Sequence, residues 1–220
     1  MVVLGRLVQE VIMIYELALV AKPEATEQDV TTLKGIVHEV VKAHEGEVFI
    51  EDEWGKITLA QPTTDGVEAG HFVYFIFKAN NQNNKELIRR LKISETHLRH
   101  MFVALGEDSE SGAIVKAYKT PYSKTYKGSA TEKEGDEESE NPKKFARRKS
   151  CYFKSNNVTA NWKDPATFTW LINEFGKISA ARVTGVSRKH QRFATTAIKR
   201  ARQIGFVSYV SNKTAELRSL

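Results

Sequence analysis

Cysteine is almost absent from this sequence: Cys151 is the only one in 220 residues. An intrachain disulfide is therefore excluded, and a zinc site built from several thiolates is excluded with it. A reducing compartment fits that usage. No apolar run approaches the roughly twenty residues a helix needs to span a bilayer, so no membrane role is expected. The opening stretch MVVLGRLVQEVIMIY has one Arg and an early Glu10, a poor match to a secretory signal or transit peptide. Met13 is an alternative start, which would make residues 1–12 an extension. Signatures of catalysis are missing too: there is no Gly-rich phosphate loop, no His-Glu-x-x-His and no nucleophile elbow. His38 and His44 fall on different faces of one expected helix. His97 and His100 stand at the start of an expected strand, one of them exposed. Glu51, Asp52 and Glu53 are consecutive, a poor arrangement for converging on one substrate atom. The chain is expected not to be an enzyme, and to hold no metal and no cofactor.

Acidic residues are scarce in one region only. Residues 143–220 carry 17 Lys and Arg against three Asp and Glu, a net +14. Residues 1–105 are net −4, as are residues 106–142, so nearly all the basic character of a chain of net +6 sits in its last third. Such asymmetry is the footprint of a nucleic-acid-binding segment.

Hydrophobic periodicity places the elements. Met13–Val20 alternates with Tyr15, Leu17 and Leu19 on one face, which predicts a strand. Thr26 is a hydroxyl N-cap with Asp29 in the first turn; Val30, Leu33, Val37, Val40 and Val41 then share one helical face, and Gly46 is the expected stop. Val48–Ala60 and His71–Ala79 read as strands around a turn-rich loop. Asn81–Leu91 reads as a second helix and Leu98–Leu105 as a fourth strand. The order βαββαβ predicts an α+β fold of ferredoxin-like arrangement for residues 1–106.

Residues 107–142 are acidic and poor in apolar side chains at both ends, which predicts a flexible linker. Residues 143–220 are expected to form a small, mostly helical basic domain. Asp164 and Pro165 are a cap and first turn for a helix Ala166–Phe175, with Phe168, Leu171, Ile172 and Phe175 as its apolar stripe and Gly176 as its end. A second helix, Arg188–Gln203, divides into two arcs. Phe193, Ala194, Ala197, Ile198, Ala201 and Ile204 form the apolar one, and Arg188, Lys189, Arg192, Lys199, Arg200 and Arg202 the cationic one.

The cationic arc is the strongest functional signal. An ordinary solvated helix face mixes signs, whereas this helix has no acidic residue. Neutralising several phosphates requires cations held in a fixed array, and Arg adds a planar fork suited to phosphate and base edges. Lys143, Lys144, Arg147, Arg148 and Lys149 interleave with Phe145 and precede Tyr152 and Phe153, a mixture suited to stacking on splayed RNA bases. The loop Arg182-Val183-Thr184-Gly185-Val186-Ser187 offers backbone N–H groups just before the basic helix, where a phosphate or merely a connection would fit; Arg182, Thr184 and Gly185 there, and Gln191 in the helix's first turns, are expected RNA-binding residues. In the first half, Gly70-His71-Phe72-Val73-Tyr74-Phe75 invites comparison with an RNA-recognition strand. Glu68 stands where that motif needs a cation, which favours a buried or partner-facing strand.

Residues 13–106 resemble the bacterial small-subunit ribosomal protein six family. The carriers are the Tyr15-Glu16 strand, the segment Trp54-Gly55-Lys56 to Leu59-Ala60, and Gly70-His71-Phe72; Ala60-Gln61-Pro62-Thr63 departs from the family's Ala-Tyr-Pro-Ile. Residues 143–213 resemble the small-subunit ribosomal protein eighteen family. The carriers there are Arg147-Arg148-Lys149-x-Cys151, Trp162-Lys163-Asp164, Gly176-Lys177-Ile178, Arg182-Val183-Thr184-Gly185, Gln191-Arg192 and Ala197-Ile198-Lys199-Arg200-Ala201-Arg202. These resemblances imply a structural constituent of the small subunit whose two segments pair within one chain. They also imply binding to the central domain of small-subunit ribosomal RNA, beside neighbouring ribosomal proteins. Trp54, Phe72 and Tyr74 in the first segment and Phe168 and Phe175 in the second are the expected contact residues of the pair. The expected location is the cytoplasmic ribosome, with an organellar ribosome as the alternative. A free RNA-binding regulator or chaperone is the competing function.

Overall fold

The computed structural model describes residues 12–120 and 151–210, which fall into two units divided between Thr120 and Pro121. In the first, β1 (Met13–Ala21), α1 (Glu27–Ala43), β2 (Glu47–Thr58), β3 (Ala69–Ala79), α2 (Asn81–Ile93) and β4 (His97–Glu107) follow in order. The four strands form one antiparallel sheet in the order β2-β3-β1-β4, the ferredoxin-like arrangement expected from the sequence.

Local chemistry explains the helix ends. Thr26 and Asp29 form a reciprocal capping box at the start of α1, each side chain bonding the other's backbone N–H. Its end differs from expectation. Glu45, not Gly46, takes the left-handed conformation (φ 58°), and the Gly46 N–H donates to the Val41 carbonyl at 2.8 Å.

The core forms where both helices cover one sheet face. Leu17 pairs with Phe75 on β3 and Phe102 on β4, so alternation sends all three toward the helices. They meet Leu33, Val37 and Val40 of α1 and Leu87 and Leu91 of α2. Burial of each such side chain contributes roughly 1.5–3 kcal/mol.

The opposite sheet face carries an aromatic stack. Tyr74 lies between Trp54, with centroids 5.1 Å apart, and Tyr118 at 5.0 Å, both near parallel. Its hydroxyl donates to Glu16 at 2.7 Å. Tyr118 arrives there because the chain does not become a linker at residue 107. Asp108–Glu110 make a 3₁₀ turn, Ser111–Ala117 form helix α3, and the Tyr118 hydroxyl donates to Asp52 at 2.5 Å. Sparse apolar content hid this, because one aromatic anchor suffices to dock a short helix. The rest of the expected linker, residues 121–142, lies outside the described residues.

In the second unit the expected helix Ala166–Phe175 is absent. Pro165–Thr167 and Thr169–Leu171 are separate 3₁₀ turns, broken at Phe168 (φ −139°). The Asp164 side chain does cap the first, accepting from the Ala166 N–H. The Asn173 carboxamide accepts from the N–H groups of Phe175 and Lys177, which turns the chain back so that Ile172 bridges Ile178. Short-range side-chain bonds thus outcompete a helix here. Of the expected stripe, Phe168 and Leu171 are buried, whereas Phe175 is 67 % exposed.

Candidate nucleic-acid interface

Two short helices, α4 (Tyr152–Ser155) and α5 (Ala181–Thr184), lead to α6 (Arg188–Ile204). Ser187 caps α6, its hydroxyl accepting from the His190 N–H. Gly205 ends it at φ 98°, a left-handed C-cap that a side chain would strain, and the Phe206 N–H returns to the Ala201 carbonyl. Ala194, Ala197, Ile198, Ala201 and Ile204 are buried, as the apolar arc requires. Phe193, at the edge of that arc, is instead 54 % exposed.

The cationic arc divides by environment. Arg188, Lys189, Arg192 and Lys199 are exposed, and Arg200 is half-buried. Arg188, Arg192 and Lys199 recur at spacings of four and seven, which puts them on one line opposite the alanines. Arg202 is committed inward: its guanidinium donates to the Gly176 carbonyl and lies 5.6 Å from the Tyr209 ring. Gln191 is also structural, donating to the Ser179 carbonyl at 2.9 Å. These two side chains tie α6 to the segment from Gly176 to Ser179, so they hold the exposed cations in place.

The loop before α6 is less open than the sequence suggests. Arg182 is exposed, but the Thr184 hydroxyl donates to the Ala180 carbonyl and Gly185 (φ 76°) reverses the chain toward Ser187. The Ser187 N–H is taken by the Cys151 sulfur at 3.3 Å, and that sulfur lies 3.2 Å from His190 Nδ1. Burial pushes the Cys151 thiol up, but the N–H groups of Ser187 and Lys154 and the His190 ring outweigh it and hold the pKa at about 6. Sequence reasoning left Cys151 without a role; what decides its setting is a neighbour 39 positions away. Lys143, Lys144, Arg147, Arg148 and Lys149 lie outside the described residues.

The family model for ribosomal protein S6 matches residues 14–104. The model for ribosomal protein S18 matches residues 156–207. The chain thus carries, in N- to C-terminal order, a match to the ribosomal protein S6 family and a match to the ribosomal protein S18 family. Among solved structures, the 30S ribosomal protein S6 of Thermotoga maritima is 18 % identical, with 48 % of this chain and 97 % of that chain covered at a TM-score of 0.41. The S18-family match takes in the whole of α6 and the turns that anchor it. The S6-family match ends within β4, so α3 and Tyr118 are additions beyond it. Both are families of structural, not enzymatic, ribosomal proteins.

The expected contact residues of an S6–S18 pair have varied settings. Phe72 and Tyr74 are fully buried and Trp54 nearly so, with Tyr74 held in the stack with Trp54 and Tyr118. Phe168 is buried in the S18-family unit, and Phe175 is exposed on it. No described helix is long and apolar enough to cross a membrane.

Proposed function

We propose that this chain is a structural protein of the small ribosomal subunit that binds small-subunit ribosomal RNA through the exposed face of α6, with its S6- and S18-family segments acting as one covalently linked pair on the subunit platform. The observation that carries this reading is the line Arg188, Arg192 and Lys199. It is exposed, one-signed and fixed by the inward bonds of Gln191 and Arg202. A preset cation array neutralises phosphates with little ordering cost on binding. Arg182, Lys189 and Arg200 extend the array, and the cluster from Lys143 to Lys149 would add a basic arm. Thr184 and Gly185 shape the approach to α6. Neighbouring ribosomal proteins and the ribosome itself, cytoplasmic or organellar, are the expected setting. The tether between the segments starts beyond Tyr118, which is anchored on the sheet, and so is shorter than residues 107–142. The test is co-sedimentation of the tagged full-length chain with host small subunits in stringent salt. Retention in the 30S-type peak supports a ribosomal constituent. Recovery only in the free pool at all salt concentrations would replace it with a free RNA-binding regulator.

A further inference from the structure

The S18-family unit exposes aromatic rings that its own core does not use. Trp170 is 41 % exposed and Tyr152 45 % exposed, and the two meet edge to face with centroids 5.0 Å apart. Both rest on Phe153, which is buried, at 5.8 Å. The indole Nε1 donates to the Thr167 carbonyl at 3.2 Å, so the ring is pinned and its polar atom is already satisfied. What remains to a ligand is ring surface, which recognises other ring surface and makes no hydrogen-bond demand.

This pair is coupled to the first turn of α6. Tyr152 follows Cys151, whose sulfur accepts from the Ser187 N–H, and Phe153 lies 5.7 Å from the His190 ring. Exposed Arg188 and Lys189 occupy that same turn, and exposed Lys154 follows on α4. Residues 151–210 hold ten Lys and Arg against Asp164 and Glu174 alone. A partner protein for an apolar surface in such surroundings must bring strong acidity. An unpaired nucleotide brings both a π-face and a phosphate.

We infer that Trp170 and Tyr152 form a stacking subsite for an unpaired base of RNA, placed beside the phosphate-binding cations at the start of α6. The inference rests on the RNA-binding reading of α6 and adds a specificity to it: single-stranded or looped RNA is preferred over continuous duplex, because only an unstacked base offers a free face. Stacking is nearly independent of salt, whereas phosphate contacts are not.

The experiment measures fluorescence anisotropy of the full chain with a labelled single-stranded RNA dodecamer and a blunt RNA duplex, across a salt series. Trp170→Ala and Tyr152→Ala are compared with Trp170→Phe and with the triple variant Arg188→Ala, Arg192→Ala, Lys199→Ala. Circular dichroism and a thermal melt establish that each is folded. The expected result is that Trp170→Ala weakens dodecamer binding by about 5- to 150-fold, the worth of one stacked base. The salt slope should stay the same, duplex binding should hold, and Trp170→Phe should retain most of the affinity. The cation variant should instead flatten the salt slope on both probes. Unchanged dodecamer affinity in folded Trp170→Ala and Tyr152→Ala, with the cation variant impaired, overturns the subsite and leaves the α6 reading intact. Unchanged binding in the cation variant overturns the α6 reading itself. Loss of incorporation into small subunits by Trp170→Ala with normal affinity for both RNAs makes the surface a protein contact and also overturns the subsite.

Discussion

Removing Arg188, Arg192 and Lys199 together is the sharpest test of the α6 face, because the structure sets both what should change and what should not. Along the helix the three lie about 6 Å and about 10 Å apart at 1.5 Å per residue. The longer separation exceeds the Debye length of about 8 Å at physiological salt and the shorter one does not, so Lys199 acts nearly independently while Arg188 and Arg192 reinforce each other. Each phosphate contact contributes about 0.7–0.9 to the slope of log affinity against log salt, so three contacts account for roughly 2–3. The variant's deficit should therefore shrink by about 20- to 40-fold between 50 and 200 mM salt. All three side chains are exposed, and Ala is the best helix former, so the melting temperature should hold or rise slightly. The assay is a salt series of binding isotherms with a fragment of small-subunit ribosomal RNA, beside a thermal melt. An unchanged slope in a folded variant would refute the assignment of this face to phosphate.

Arg202→Ala should behave in the opposite way. Losing the bond to the Gly176 carbonyl should destabilise the unit by about 2–3 kcal/mol in denaturant titration, with the RNA salt slope unchanged. Tyr118→Ala removes one stacked ring, the hydrogen bond to Asp52 and the one accepted from the Trp54 indole, so the S6-family unit should lose about 1.5–2.5 kcal/mol; a melt unaffected by the change would show that α3 is not docked. His97 and His100 touch through their ring nitrogens at 2.9 Å. Burial first, then His100, pushes His97 down to about 4 from 6.5. Between those values the folded state binds fewer protons than the unfolded one, so stability falls as pH drops through that window, by about 1–2 kcal/mol after screening. The double change His97→Gln, His100→Gln should remove that part of the pH dependence in melts from pH 7 to pH 4. A protease site placed between Glu132 and Glu140 and then cut should leave the two segments co-eluting at micromolar protein if they pair through their own surfaces.

The sequence by itself determined the elements whose signal is local and repeated. Alternation in β1, the capping box at Thr26 and Asp29, and the valine stripe of α1 each act over a few residues, so they were legible without any partner. So was α6, where one helical period sorts alanines from cations. Tertiary structure decided the rest, for reasons of distance and competition. The helix expected at Ala166–Phe175 yields to Asn173, whose carboxamide bonds the backbone and turns it. Residues 108–118 look like linker until Tyr118 finds Tyr74 and Asp52 on a sheet face built by strands far back in the chain. Arg202 and Arg200 are indistinguishable as letters on one arc. Only the fold puts a carbonyl at Gly176 within reach of the first, which makes Arg202 a brace and leaves the exposed cations around it to meet a ligand.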